Sequence, residues 1–255
     1  MSGKLSAASL ASIKLDLAFQ SKQLSSASGF FWKYGERLFL VTNWHVMSGR
    51  NALDNKCLDP NLALPDRLSA GVIQSAGGKL VTGSVQFEWK LGERTPWLIH
   101  PTYQSAVDVA MLDVSAVPLT GVLHFNENQD NTYMLMSGDD AFLLGYPLGL
   151  GVNKTPLWKR GTVASEPMMD VDGLPKFLVD TASTSGMSGS AVITKKTFGL
   201  LQNGQRSMGQ HVTTLEGVYS GRVLEAGDLS AQIGIVWKAS VLKEIADGGV
   251  YYTAD

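Results

Sequence analysis

An all-β fold is predicted for this chain of 255 residues by three observations. Few stretches keep a helical period of apolar residues. Short apolar runs recur between clusters of Gly, Ser, Asn and Pro, and 27 glycines supply the tight turns that many short strands require. With 44% hydrophobic and only 17% charged residues, the chain buries a substantial core, because the buried fraction of surface rises with length. All-β barrels and sandwiches often reach this length as one unit, so the domain count has to come from the pattern.

Taken in order, the first strong signal is Gly29-Phe30-Phe31-Trp32-Lys33-Tyr34-Gly35-Glu36-Arg37-Leu38-Phe39-Leu40-Val41-Thr42, a hairpin expected to turn near Gly35 with a second arm rich in buried-strand residues. Val85, Phe87 and Trp89 then alternate with Gln86, Glu88 and Lys90, the period of two of a half-buried strand. Further strands are expected at 109–114, 142–144, 161–164, 177–180, 191–194, 217–219 and 232–236. The polar, asparagine-rich stretch 118–132 follows a strand-like run and is the expected connector between two halves. One helix is expected at 238–247, where Ala239, Leu242, Ile245 and Ala246 fall near helical spacing and Gly248 and Gly249 stand ready to stop it. The chain shows no internal repeat, low-complexity tract or charge block.

Composition narrows the partners. Twenty-one basic against 23 acidic residues leave a net charge of −2, which argues against a broad electrostatic grip on nucleic acid or an anionic membrane. No apolar run approaches membrane-spanning length. The N-terminal stretch breaks its apolar residues with serines, Lys14 and Asp16, so no uninterrupted signal core develops. The single cysteine, Cys57, has no intramolecular disulfide partner, which fits a reducing compartment. A soluble, cytoplasmic protein without nucleic-acid or membrane partners is therefore expected; oligomeric state is not encoded legibly.

Four chemical roles find candidates. A serine hydroxyl is a poor nucleophile at neutral pH and needs a base, a group that orients the base, and donors for the developing oxyanion. Around Ser188, in Ser185-Gly186-Met187-Ser188-Gly189-Ser190, two glycines permit a backbone tight enough to aim consecutive N–H groups into one small cavity, although a bare G-x-S-G also fits a turn between strands. His45 stands where the apolar strand ending Val41-Thr42 stops, positioned for a cleft, or else for a hydrogen bond at a barrel rim. Asp108 directly precedes a buried-looking strand. An ionised carboxylate there wants a cation such as an imidazolium, or loop amides instead.

Together these segments resemble the trypsin-like peptidase superfamily. Thr42-Asn43-Trp44-His45-Val46 matches T-x-x-H, Asp108-Val109-Ala110-Met111-Leu112 matches D-[IVL]-A-x-L, and Gly186-Met187-Ser188-Gly189-Ser190 matches G-x-S-G-[GS], in the order His, Asp, Ser. The flavour is closest to bacterial HtrA-like and related intracellular domains without disulfides: Leu144-Gly145-Tyr146-Pro147-Leu148-Gly149-Leu150 resembles their glycine-proline loop and Gly161-Thr162-Val163-Ala164-Ser165 the strand after it. The resemblance spans about 17–245. It implies two antiparallel Greek-key six-stranded β-barrels with a short C-terminal α-helix: an extension at 1–16, a first barrel at 17–117 with His45 and Asp108, a connector at 118–132, and a second barrel at 133–255 with Ser188.

The resemblance further implies a serine endopeptidase acting on protein or peptide through an acyl-enzyme, with His45, Asp108 and Ser188 as triad and the Gly186 and Ser188 amides as oxyanion hole. Substrate-binding positions would be Ala182 and Ser183 at the pocket floor and Tyr219, Ser220 and Gly221 on the strand beside it, Tyr219 having the alternative of an ordinary barrel side chain. An uncharged floor implies a small or medium apolar residue at the cleavage site, a reading that Asp180 would reverse if it lay two positions nearer. Met187 replaces the aspartate that digestive relatives use to bind a new N-terminus. Activation by N-terminal cleavage is then not expected, and neighbouring loops or a regulatory protein partner would order the hole. The alternatives are a non-catalytic binding or scaffold protein on the same fold, or an esterase using the same triad.

The remaining candidates read as structure. Cys57 lacks a glycine elbow and reads as a loop or core thiol. His100, His124 and His211 are widely spaced with no H-E-x-x-H cluster, so neither a metal nor another cofactor is expected. Gly145, Gly149 and Gly151 lack the lysine and hydroxyl of a phosphate cradle and fit a barrel loop. Lys195 and Lys196 are expected on a solvated turn.

Overall fold

A computed structural model describes residues 5–90, 92–127, 132–222 and 232–253. The strands are β1 (Ser12–Phe19), β2 (Lys22–Tyr34), β3 (Arg37–Thr42), β4 (Arg67–Ala76), β5 (Lys79–Glu88), β6 (Arg94–Ile99), β7 (Ala110–Asp113), β8 (Phe125–Asn126), β9 (Asp140–Gly145), β10 (Leu157–Val163), β11 (Lys176–Asp180), β12 (Ala191–Leu200), β13 (Arg206–Arg222), β14 (Ile233–Lys238) and β15 (Val250–Thr253). Among the described residues the α-helices α1 (Ala7–Ala11), α2 (Trp44–Ser48) and α3 (Ser240–Gly248) are short. The all-β prediction holds.

The strands form two units. The N-terminal unit is a nine-stranded sheet in the order β15-β6-β7-β3-β2-β1-β4-β5, with β8 pairing β2 in parallel. The C-terminal unit is a closed six-stranded barrel, β10-β11-β14-β13-β12-β9. The hairpin expected at Gly35 is β2–β3, with Tyr34 opposite Arg37 and Gly35 at φ +56°. A left-handed residue at the turn is what glycine supplies without a steric cost.

Strands that read as unbroken apolar runs are buried on both faces. Phe31 of β2, Leu40 of β3 and Leu112 of β7 point into the N-terminal core with Ile13, Leu15 and Trp97. Their neighbours Phe30, Trp32, Phe39, Val41 and Met111 point the other way, into a second cluster shared with Leu144, Ile193, Leu215 and Trp237 of the barrel. Because successive residues of a strand face opposite sides, such a strand has no polar face left to alternate with. A third cluster, including Leu143, Val163, Phe177, Val192 and Val236, fills the barrel.

The first and last described strands, β1 and β15, both belong to the N-terminal sheet. β1 starts at Ser12, within the stretch expected to be an extension: Ile13, Leu15 and Leu17 are buried while Lys14 and Asp16 lie half-buried on the other face and form an ion pair at 3.0 Å. The polar breaks that spoil a signal core are the period of a strand. At the other end β15 pairs antiparallel with β6. Between them α3 buries Leu242, Ile245 and Ala246, as their spacing predicts, together with Val241, which that spacing did not single out, while Ala239 stands before the helix as its N-cap.

Lys195 and Lys196 require correction, since both lie within β12 rather than on a turn. Lys195 Nζ stands over the Trp158 ring, 5.4 Å from its centroid, while Lys196 Nζ donates to Met134 O at 2.6 Å and bonds Asp139. The connector expected at 118–132 is described except for 128–131, and its Phe125–Asn126 segment forms β8.

Candidate functional site

His45 sits in the first turn of α2, three residues beyond the last residue of β3 rather than on the strand. The helix leaves β3 through Asn43, whose buried amide nitrogen donates to Asp108 O at 2.7 Å, so strand end, helix and the aspartate segment are tied together. It stops at Gly49, at φ +68°, where an added Cβ would lie 2.4 Å from Pro65 Cδ; only glycine fits both the torsion and the space.

Asp108 holds His45 twice. Oδ1 accepts the His45 backbone N–H at 2.8 Å and Oδ2 lies 2.6 Å from Nδ1. A carboxylate only accepts, so Nδ1 carries the proton and Nε2 is left with its lone pair, the tautomer of a general base. The Ser220 hydroxyl of β13 also donates to Asp108 Oδ2. With its side chain 3% exposed, the carboxylate accepts from three donors in place of water.

Ser188 and His45 line one cavity of about 280 Å³ together with Ser185 and Gly186. Its other walls, among them Leu24, Val46, Leu58 and Pro65, are mostly apolar. The segment 185–190 is held through its backbone: Ser185 O accepts from Leu148 N at 2.7 Å, Met187 O from Ser190 N at 3.0 Å and Ser188 O from Ser28 N at 2.8 Å, while Gly189 N donates to Tyr219 O at 2.8 Å and Met187 N to Thr184 O at 3.3 Å. Gly186 O accepts the Ser28 hydroxyl at 2.7 Å. The Gly186 and Ser188 N–H groups, by contrast, bond to nothing among the described residues. A pair of unspent backbone donors beside a hydroxyl is suited to receive an anion or a carbonyl oxygen.

Gly186 adopts φ +92°, and a Cβ there would lie 2.4 Å from Tyr146 O. Gly189, at φ +82°, would collide with Ser28 O at 2.1 Å. These two positions are therefore closed to any side chain. Met187 between them turns inward, fully buried in the barrel core with Leu143, Phe177 and Val192.

The expected substrate-binding positions scatter. Ser220 is half-buried and engaged with Asp108, and Gly221 follows at φ +123°. Tyr219 is a core residue, 1% exposed, whose hydroxyl bonds the buried Ser183 hydroxyl; its side chain takes the barrel role left open as the alternative, and burial raises its pKa. Ala182 is exposed and does not line the cavity of His45 and Ser188. Asp180, which would have reversed the specificity reading, is exposed at the end of β11. The sequence reading missed Ser28 and the bond from Ser220 to Asp108. Serines are too common for either to stand out without knowledge of what folds against them.

His100 is accounted for structurally. It is 1% exposed, its Nδ1 accepts from Thr102 N at 3.1 Å and Tyr103 N at 3.0 Å, and Nε2 donates to Glu244 Oε2 at 2.8 Å. Cys57 lies in a loop with Sγ 3.7 Å from Ala63 O.

The family model described as trypsin-like peptidase domain matches residues 27–199, a range that contains His45, Asp108 and Ser188. No individual curated protein sequence matches the chain significantly. Among solved structures, the serine endoprotease from Yersinia pestis aligns with a TM-score of 0.51 at 16% sequence identity, covering 95% of this chain and 65% of that one. The active form of the Rv3671c protease from M. tuberculosis aligns with a TM-score of 0.49 at 18% identity, covering 98% of this chain and 85% of that one. The chain thus spans 65% of the length of the Yersinia pestis protein, and the likeness at this identity is one of fold.

Proposed function

Because the chain belongs to the trypsin-like peptidase domain family, we propose that it is a serine endopeptidase in which Ser188 is the nucleophile, His45 the general base and Asp108 the residue that orients it. The observation that carries this reading is the coupling of His45 Nδ1 to Asp108 at 2.6 Å beside a cavity lined by Ser188 and two unspent backbone N–H groups.

In the proposed reaction His45 Nε2 takes the Ser188 proton as Oγ attacks the scissile carbonyl. Asp108 stabilises the imidazolium, and the Gly186 and Ser188 N–H groups receive the oxyanion. The imidazolium then protonates the leaving amine, an acyl-Ser188 ester remains, and water activated by His45 hydrolyses it. Substrate is protein or peptide, with a small or medium apolar side chain before the scissile bond; Asp180, whose charge would have reversed that preference, is exposed at the end of β11. A reducing, cytoplasmic setting remains the reading suggested by the lone cysteine.

Labelling by a fluorophosphonate tests the nucleophile directly. Wild type should be modified at Ser188 and Ser188→Ala should not. Absence of Ser188-dependent labelling favours the scaffold alternative, and turnover of small esters without cleavage of any protein favours an esterase. A peptide library tests specificity, where strict selection of Arg or Lys would overturn the apolar preference.

A further inference from the structure

We propose that Ser28 is a positioning residue for the oxyanion-binding backbone: from the opposite structural unit, its hydroxyl bridges Gly186 O and Tyr146 N and so fixes the direction in which Gly186 N–H points. The proposal rests on the reading that Gly186 and Ser188 supply the oxyanion donors.

Ser28 lies on β2, 158 residues from Gly186 in sequence, and is completely buried. Each of its polar groups is engaged. Oγ donates to Gly186 O at 2.7 Å and accepts from Tyr146 N at 2.9 Å. Its N–H donates to Ser188 O at 2.8 Å, and its carbonyl accepts the Thr42 hydroxyl at 2.8 Å. One residue of the N-terminal sheet thus grips two carbonyls of the nucleophile segment. Thr42 anchors it from the strand that leads to His45.

Gly186 has two flanking peptide planes. The plane before it is held by Leu148 N, which binds Ser185 O; because the peptide is planar and trans, the Gly186 N–H points the opposite way from that carbonyl. The plane after it is held by the Ser28 hydroxyl on Gly186 O. Two planes pinned on either side of one residue determine its φ and ψ. Glycine is the residue best able to swing into another conformation if one pin is lost.

The site is shaped around this bridge. A Cβ on Gly145 would lie 2.7 Å from Ser28 Oγ and 2.0 Å from Ser190 Oγ, so the space beside the hydroxyl is kept by a missing side chain. Met187 offers no charge with which to anchor the loop. The same Ser28 bond also holds Tyr146 N, at the start of the turn that presents Leu148 N to Ser185, which links both pins.

The test compares wild type with Ser28→Ala and Ser28→Cys, the latter filling the site with a weak donor. In chains that stay folded by thermal unfolding, kcat on a peptide substrate should fall at least about 10-fold with KM nearly unchanged. That is less than the roughly 100- to 1,000-fold of deleting an oxyanion donor. Affinity for a peptide boronate, whose tetrahedral adduct is anionic, should fall in parallel. Turnover within about twofold of wild type, or a loss confined to KM, overturns the proposal. Amide exchange at Tyr146 gives a readout that needs no turnover: it should rise about 10-fold or more in both variants, and unchanged exchange overturns the bridge. A wild-type chain without Ser188-dependent turnover would overturn the peptidase reading instead, and Tyr146 exchange would still decide the bridge.

Discussion

The Ser220 hydroxyl donates to Asp108 Oδ2, the same oxygen that lies 2.6 Å from His45 Nδ1. Ser220 belongs to the barrel and Asp108 to the N-terminal unit, so this bond, like that of Ser28, crosses between the halves. Removing it leaves the carboxylate with His45 alone. Ser220→Ala should lower kcat/KM by roughly 5- to 10-fold, the worth of about 1 kcal/mol of a hydrogen bond to a charged group already held by others. Steady-state kinetics decides: an unchanged kcat/KM would show that His45 is sufficiently oriented without it.

Asp108→Asn retains the shape of the side chain but replaces a pure acceptor by an amide with an N–H₂ face. If that face meets Nδ1, the His45 proton moves to Nε2 and the base loses its lone pair where it is needed. We expect kcat to fall about 10,000-fold, with the His45 nitrogen NMR signals reporting the tautomer change. Loss of less than about tenfold would contradict Asp108 as the orienting residue.

Met187, next to Ser188, is an apolar core residue. Met187→Leu keeps apolar volume and should cost less than about 1.5 kcal/mol. Met187→Asp buries a carboxylate among Leu143, Phe177 and Val192 and should cost about 3 kcal/mol or more, read as a fall in thermal midpoint. An aspartate variant as stable as wild type would mean that the segment turns outward, and the backbone brackets on Gly186 would need another explanation.

The parts of this fold that show in the sequence are those whose signal is local. The Gly35 hairpin, the apolar runs at β7 and β12 and the helix face of Leu242, Ile245 and Ala246 depend on a few adjacent residues. β1 hid because Lys14 and Asp16 look like interruptions until the strand's other face is known to be buried. β15 hid because Val250 to Thr253 follows a helix and two glycines, and its pairing with β6 is a contact between distant segments. The same holds at the site. His45, Asp108 and Ser188 carry motifs, whereas Ser28 and Ser220 act through partners that only the tertiary fold brings near.

Glu216 of β13 provides a pH test separate from catalysis. It is 9% exposed, and burial pushes its carboxyl up from 4.5 to about 7, opposed by the Thr194 hydroxyl that donates to Oε1 at 2.5 Å and by the charge of Lys196, with Asp139 adding to the rise. Between pH 4.5 and about 7 the folded chain therefore keeps a proton that the unfolded chain has released. More protons bound in the folded state means that stability falls as pH rises through this window, then levels off above it. The full loss is on the order of 3 kcal/mol, since each pKa unit is worth about 1.4. Glu216→Gln keeps an oxygen for Thr194 and cannot ionise. Denaturant unfolding of wild type and variant should give similar stabilities near pH 4.5 and a variant more stable by up to about 3 kcal/mol at pH 8. Curves that stay parallel across the window would mean that Glu216 titrates alike in both states, with Lys196 compensating for its burial.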